Sequence, residues 1–297
     1  MRGTSLTARL SALPGDARGV LWAVVAALFF SIMLTLIKVL GQTVPVAQIL
    51  FIRQSVMFMV ALPIIAQEFP ASLVTQKMGL HLIRVVFATA SMAFSFLAVV
   101  NLPLADATAL GFSRAFFTTL FAIVVLREAV GGRRWLAMAA GFVGVLIMLQ
   151  PGEGGLDMYA LFAVIGAASA AGVSILLRIL SRTERPVTIL TYQAVMVGVL
   201  AAPFALYSWV TLTPLQWAMA IGVGLAASAG QMSNIRSFRA GQASVVAPLD
   251  YTKLIWTTLF GYLLFAVLPG SHTLVGAAII VIASLYVLLS EVQRSTK

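Results

Sequence analysis

Apolar residues run along this chain in blocks of helix-spanning length, separated by short polar groups. Gly19 to Ile37, Val85 to Ala105, Trp135 to Gly152 and Met158 to Leu177 carry no charged residue. Each approaches the roughly 20 apolar residues that a bilayer-crossing helix needs. Pro186 to Ile235 is uncharged over two such lengths and divides between Pro203 and Pro214. Leu254 to Ser290 divides at Leu268-Pro269-Gly270, because Pro and Gly punctuate helices. The pattern predicts spans at 19–40, 45–66, 80–100, 104–126, 133–150, 158–180, 187–209, 214–233, 243–267 and 271–290. That is an all-α integral membrane protein of ten helices with short loops.

Composition agrees. Of 297 residues, 61% are hydrophobic and 9% charged, which excludes an ordinary soluble enzyme and a disordered chain. The absence of cysteine excludes disulfides, thiolate catalysis and cysteine-held metal clusters. Only His81 and His272 remain as imidazoles, so neither a metal site nor a cofactor is expected. Residues 1–17 resemble the n-region of a signal peptide. The apolar stretch after them is too long for an h-region and runs into Lys38 without a small-residue cleavage site. They read as a cytoplasmic arm.

The net charge of +10 would suggest nucleic acid in a soluble protein. Its distribution points elsewhere. With the N-terminus inside, the inner loops and flanks hold fifteen of the nineteen Lys and Arg, and the outer side only Lys38. The outer 150–157 loop carries Glu153 and Asp157 instead. This is the positive-inside pattern, and it places both termini in the cytoplasm. The basic charge marks topology, and no nucleic-acid partner is expected.

The chain also repeats itself. Ser113-Arg114-Ala-Phe-Phe-Thr118-Thr119-Leu120-Phe121 returns as Thr252-Lys253-Leu-Ile-Trp-Thr257-Thr258-Leu259-Phe260, at an offset of 139. Leu36-Ile-Lys38-Val-Leu40 returns as Leu176-Leu-Arg178-Ile-Leu180, at an offset of 140. The chain therefore divides into an arm at 1–17, repeats at 18–152 and 153–290, and a tail at 291–297. Five spans per half invert the second half relative to the first. Inverted repeats place substrate near the midplane between the halves, which is the architecture of secondary transporters. Small residues in spans six and eight (Gly166, Gly172, Gly224 and Gly230 among them) suit close helix packing.

Ten spans, two five-helix repeats, Arg53 early in span two, Leu120 to Glu128 with Gly132 and Gly141 after it, and Ala247-Pro248-Leu249-Asp250-Tyr251 together resemble the drug/metabolite transporter superfamily, EamA type. The resemblance covers about residues 19–290. Its glutamate at the end of span four is Glu128; the counterpart in span nine is Val267, which departs from the family pattern. The resemblance implies transport of amino acids, drugs, organic anions, nucleotide sugars or similar metabolites, with substrate held along spans four and nine.

A charge at bilayer depth faces a cavity or a partner. Arg114 and Lys253 are repeat equivalents halfway along spans four and nine, and form a cationic locus for a carboxylate or phosphate. The competing reading pairs Lys253 with Asp250, three residues away on one helix face, and Arg114 with Asp106. A free Asp250 could receive an ammonium or carry a coupling proton. Lys38 and Arg178 form a second equivalent pair near opposite faces; with Asp106 they are candidates for coupling or gating, or they snorkel to the interface. The expected lining adds Ser91, Phe94 and Ser95; Phe112 and Ser113; Ser228, Gln231 and Asn234; and Tyr251, Thr252 and Trp256. Tyr192 and Gln193 are weaker candidates. Arg53 is expected to bond helix ends or loop carbonyls, Glu128 to join a structural cluster with Arg127 and Arg133, and His81 to lie at the interface.

The sequence lacks the zinc-protease and nucleophile-elbow motifs of an enzyme and the Lys-Ser/Thr of a phosphate loop, so transport is not driven by hydrolysis within this chain. The expectation is a monomeric carrier in a bacterial inner membrane, exporting small carboxylate-bearing metabolites, amino acids first. The alternative is uptake or exchange of a di- or tricarboxylate or a nucleotide-like metabolite such as S-adenosylmethionine.

Overall fold

A computed structural model describes residues 15–70, 73–127, 132–149, 157–241 and 243–295. Most of the expected arm, the cluster around Glu128, the outer loop with Glu153, the division at residue 152 and the last residues of the tail lie outside the described residues. Within them the chain forms α1 (Gly15–Leu40), α2 (Val46–Gln67), α3 (Met78–Asn101), α4 (Leu104–Gly111), α5 (Arg114–Leu126), α6 (Gly132–Leu149), α7 (Met158–Leu180), α8 (Pro186–Tyr207), α9 (Pro214–Ala240), α10 (Ala243–Val246), a 3-10 helix (Ala247–Thr252), α11 (Lys253–Phe265) and α12 (Ser271–Ser295). No strand occurs among the described residues. The ten expected spans are present, the fourth made of α4 with α5 and the ninth of α10, the 3-10 helix and α11.

Among the described residues, six helical stretches are long and apolar enough to cross a bilayer: Ala17–Leu40, Val46–Gln67, Met78–Asn101, Leu104–Leu126, Met158–Leu180 and Thr188–Tyr207. The helix α9 runs seven residues past the expected end at 233, because Arg236 and Arg239 ride on its last turns. Large apolar side chains stand exposed on the bundle's outside: Val60, Val124, Val199, Phe204 and Leu263. In water such a belt would aggregate; in lipid it is solvated. This is a multi-pass membrane protein.

The starts and stops follow local chemistry. Thr213 and Gln216 form a capping box ahead of α9, with Pro214 at its first position. Asp157 accepts from the amides of Tyr159 and Ala160 at the start of α7.

The duplication seen in the sequence is repeated in atoms. Arg127 after α5 and Ala266 after α11 are the two non-glycine residues with left-handed backbones among the described residues, at φ 53° and 54°, and they stand 139 apart. Ser113 Oγ donates to Leu110 O at 2.6 Å, and Thr252 Oγ1 to Leu249 O at 2.6 Å. Thr118 Oγ1 donates to Arg114 O at 2.8 Å, and Thr257 Oγ1 to Lys253 O at 2.9 Å. At the offset of 140, Thr43 Oγ1 donates to Leu40 O at 3.4 Å and Thr183 Oγ1 to Leu180 O at 3.5 Å. Helix pairing obeys the same exchange: α1 packs on α9 as α7 packs on α3, and α11 packs on α1 as α5 packs on α7.

Close packing uses the small residues. A Cβ on Gly166 would stand 2.6 Å from Ser95 Oγ, and one on Gly224 would stand 2.5 Å from Val56 Cβ. Across α6 and α12, Gly144 and Gly276 each face the other's carbonyl. Where two helices of a bilayer protein meet this closely, van der Waals contact and backbone approach replace the missing hydrophobic drive.

Candidate transport site

The fourth and ninth spans are not continuous α-helices. Each tightens at its middle, where Ser113 or Thr252 turns its hydroxyl back onto a carbonyl. Such back-bonding bends helices. The ninth span tightens further into a 3-10 stretch containing Pro248, which has no amide to donate. Arg114 and Lys253 are the first residues after the two bends. Both therefore stand at mid-span, as their spacing predicts.

Phe112 and Tyr251 are also equivalents at the offset of 139, and their rings meet edge to face with centroids 4.9 Å apart at 86°. A residue that touches its own repeat equivalent lies on the pseudo-twofold axis. This aromatic pair therefore marks the centre of the carrier.

The charges around it divide unequally. Lys253 pairs with Asp250, and its ammonium lies over the Phe30 ring at 4.9 Å. Asp250's side chain is 57% exposed and that of Lys253 20%. Of the two readings of this pair, internal neutralisation is what the structure holds. Arg114 does not meet Asp106. Its guanidinium donates to Ser174 Oγ of α7 at 2.7 Å and is otherwise exposed. Asp106 lies instead near Thr273 and His272 of α12 and Lys38 of α1, with its Oδ1 buried and without a hydrogen bond.

Lys38 does not point into this space. Its ammonium donates to Leu102 O at 2.6 Å, Val99 O at 3.2 Å and Val100 O at 3.4 Å, and lies 5.4 Å from the centre of the Phe265 ring. It caps the C-terminal carbonyls of α3, where a cation complements the helix dipole. Its equivalent Arg178 is exposed.

Several expected lining residues make contacts of their own. Ser95 sets its hydroxyl and Ser91 its carbonyl against Gly166 across the α3–α7 seam. Phe94 stacks obliquely on Phe162 at 5.2 Å. Trp256 lies against Phe260 within its own helix at 6.5 Å. Ser228 bonds back to Gly224 O at 2.9 Å. Gln231 is exposed and Asn234 half-buried on α9.

Sequence reasoning missed a second polar layer. Arg84, expected as an inner-face flank, is 2% exposed and donates to Ile189 O at 3.3 Å and to Gln193 Oε1. Gln54 donates to Gln193 O and Ala194 O, each at 3.3 Å. Arg53 is 7% exposed. It does not reach helix ends or loop carbonyls; it donates to Gln54 Oε1 at 3.3 Å and to Met92 Sδ at 3.4 Å, and its Nε is buried without a partner. No carboxylate among the described residues pairs with it. His81, in the first turn of α3, is packed inside the protein. It is 1% exposed and stacked on Tyr192 at 4.5 Å, and the Tyr192 hydroxyl donates to Leu73 O at 2.9 Å. A signal existed in the sequence: Arg53, Gln54, Arg84 and Gln193 are polar residues inside otherwise apolar blocks.

Two inverted five-span repeats, meeting on a bent pair of helices at mid-membrane, define a carrier scaffold. The chain belongs to the EamA-like transporter family, whose pattern it matches twice, over residues 17–150 and 157–289. It is 32% identical over 287 residues to a riboflavin transporter of Rhizobium johnstonii, covering 94% of this chain and 93% of that one. It is 27% identical over 267 residues to the pseudopaline exporter CntI of Pseudomonas aeruginosa, covering 89% and 94%. It is 25% identical over 280 residues to an S-adenosylmethionine uptake transporter of Rickettsia prowazekii, covering 94% and 95%. One crystal structure, at 17% identity, superposes with a TM-score of 0.59 over 92% of this chain and 97% of that one, which shows the fold. These relatives place the protein in the drug/metabolite transporter superfamily, as a transporter.

Proposed function

We propose that this transporter carries riboflavin or a close flavin analogue across a bacterial inner membrane, its basic end in the cytoplasm. The observation that carries the reading is the edge-to-face pair of Phe112 and Tyr251 on the pseudo-twofold axis, beside an internally neutralised Asp250–Lys253 pair. Paired charges give a substrate carboxylate no net cation at Lys253. Aromatic rings favour a flat, uncharged heterocycle. Arg114 can donate to a carbonyl oxygen and the neighbouring acceptor nitrogen of such a ring, where a planar guanidinium suits two parallel hydrogen bonds. The likeness to riboflavin transporters from three organisms supports the same class.

A second reading follows from one observation. Arg114 and Asp250 are both exposed, of opposite sign, and on the two spans that meet at the axis. They could hold the carboxylate and ammonium of a zwitterion, the group that amino acids and S-adenosylmethionine share.

Riboflavin fluorescence separates the two. Titration of the purified carrier in lipid nanodiscs is expected to quench the flavin saturably, with excess S-adenosylmethionine or amino acids competing poorly. Saturable displacement of the flavin by amino acids would favour the zwitterion reading. No saturable quenching would remove the flavin reading.

A further inference from the structure

The two ends of the bundle are closed to different degrees. At the end carrying the 41–45 and 266–270 loops, α1 packs on α3 and α4 packs on α11. Repeat exchange maps these pairs onto α7 with α9 and onto the 243–252 stretch with α5. At the basic end those counterparts make no comparable contact among the described residues. A symmetric scaffold therefore holds an asymmetric state.

The closed end has an identifiable fastening. Lys38 donates to the carbonyls of Val99, Val100 and Leu102 at the end of α3. Gln42 adds a bond to Val100 O at 3.1 Å. Gly41 brings its bare α-carbon against the Val100 side chain. Each part has a counterpart. Arg178, Ser181 and Arg182 stand for Lys38, Gly41 and Gln42 at the offset of 140. Phe238, Arg239 and Gly241 stand for Val99, Val100 and Leu102 at the offset of 139. The turns that present the cations are built alike: Val44 N donates to Leu40 O at 2.9 Å and Glu184 N to Leu180 O at 2.8 Å. The equivalence is one of structure as well as sequence.

We propose that Arg178, with Arg182 beside it, is the second of two alternating latches. In the opposite state Lys38 leaves the end of α3, and Arg178 docks on the carbonyls of Phe238, Arg239 and Gly241, closing the basic end. The chemistry is that of a cation on the last carbonyls of a helix, favourable at both sites. The two latches are not identical. Leu126 stands where Phe265 lies under Lys38, so the second latch has no ring. A guanidinium brings more donors than an ammonium, and Arg182 offers a charge where Gln42 offers an amide. Arg239 carries its own charge at the receiving end and must turn outward as Arg178 arrives. Lys38 and Arg178 are positioning residues; neither needs to touch the substrate. The proposal concerns how the halves move and stands whatever the substrate is.

The chain has no cysteine, so introduced pairs report cleanly. Gly41→Cys with Val100→Cys reads the closed end seen here. Ser181→Cys with Arg239→Cys reads the closure proposed at the basic end. In liposomes under mild oxidation, each pair is expected to cross-link, and each cross-link to halt transport until a reductant is added. Arg178→Gln is expected to lower the 181–239 yield several-fold and to raise the 41–100 yield; Lys38→Gln should do the reverse. Arg178→Lys, which keeps a donor, should restore much of the 181–239 yield and serves as the control for folding. Failure of the 181–239 pair to cross-link during turnover, or unchanged yields of both pairs in Arg178→Gln, would overturn the proposal.

Discussion

Removing one member of the Asp250–Lys253 pair tests both the geometry and the substrate reading. Asp250→Asn leaves the Lys253 ammonium facing the Phe30 ring with no anion beside it. Two unit charges in contact at an effective dielectric between water and protein attract by about 4 kcal/mol. With Asp250's side chain 57% exposed, water screens much of that, and about 1 kcal/mol remains. The cation–ring contact, worth about 0.5–1 kcal/mol at such sites, survives the substitution. Asp250→Asn and Lys253→Gln are each expected to weaken flavin binding by about 5- to 10-fold, near the tenfold that about 1.4 kcal/mol represents. The double variant carries no stranded charge. Under the flavin reading it is expected to recover most of the affinity, giving a coupling of about 2 kcal/mol in the cycle, the sum of the two single losses. The assay is fluorescence titration of the wild type and the three variants in nanodiscs. A double variant as weak as the worse single one would refute the reasoning, because each charge would then be touching the substrate itself.

Three further outcomes follow from the packing. Gly166→Ala is expected to cost about 1–3 kcal/mol, because its Cβ would lie 2.6 Å from Ser95 Oγ and 3.0 Å from Ser95 N; Gly141→Ala, with nothing nearer than 4.0 Å, is expected to gain up to about 1 kcal/mol. Melting in detergent reads the two signs, and equal signs would contradict the seam described for α3 and α7. Phe112→Leu and Tyr251→Leu are expected to show a coupling of about 0.5–1.5 kcal/mol in a melting double-mutant cycle, as rings in edge contact do, and no coupling would separate them. Arg53→Met removes a buried guanidinium that has no carboxylate among the described residues, so the fold is expected to be at least as stable while transport falls. A strong loss of melting temperature would make Arg53 a structural residue.

Span number and repeat symmetry were legible because both rest on patterns of many residues. Hydropathy blocks specify length, and two motifs at nearly one offset specify duplication. The bends in spans four and nine were less visible. They depend on where a single hydroxyl turns, and Ser113 and Thr252 bond their own helix instead of continuing its ladder. The mid-span position of Arg114 and Lys253 follows from spacing, and so does the Asp250 partner of Lys253; the Ser174 partner of Arg114 does not. Asp250 reached Lys253 because three residues on one helix fix a face, while Asp106 lay too far along the chain to reach Arg114 and found α12 instead. Ser95 shows the limit of polarity as a signal. A small hydroxyl residue suits a helix seam as well as a cavity wall, and Ser95 lies against Gly166 on the facing helix. Arg84 was counted as a flank because it sits near a helix start, yet Gln193 on α8 draws it inside. Most of the arm, Glu128 and the 150–156 loop fall outside the described residues.

The most direct test of the central claim is riboflavin counterflow in proteoliposomes. Vesicles loaded with unlabelled riboflavin and diluted into labelled riboflavin are expected to accumulate label transiently, with Phe112→Leu/Tyr251→Leu slowing the overshoot. An amino acid loaded in place of riboflavin should drive none. No overshoot with riboflavin, or an equal overshoot driven by amino acids, would contradict the account.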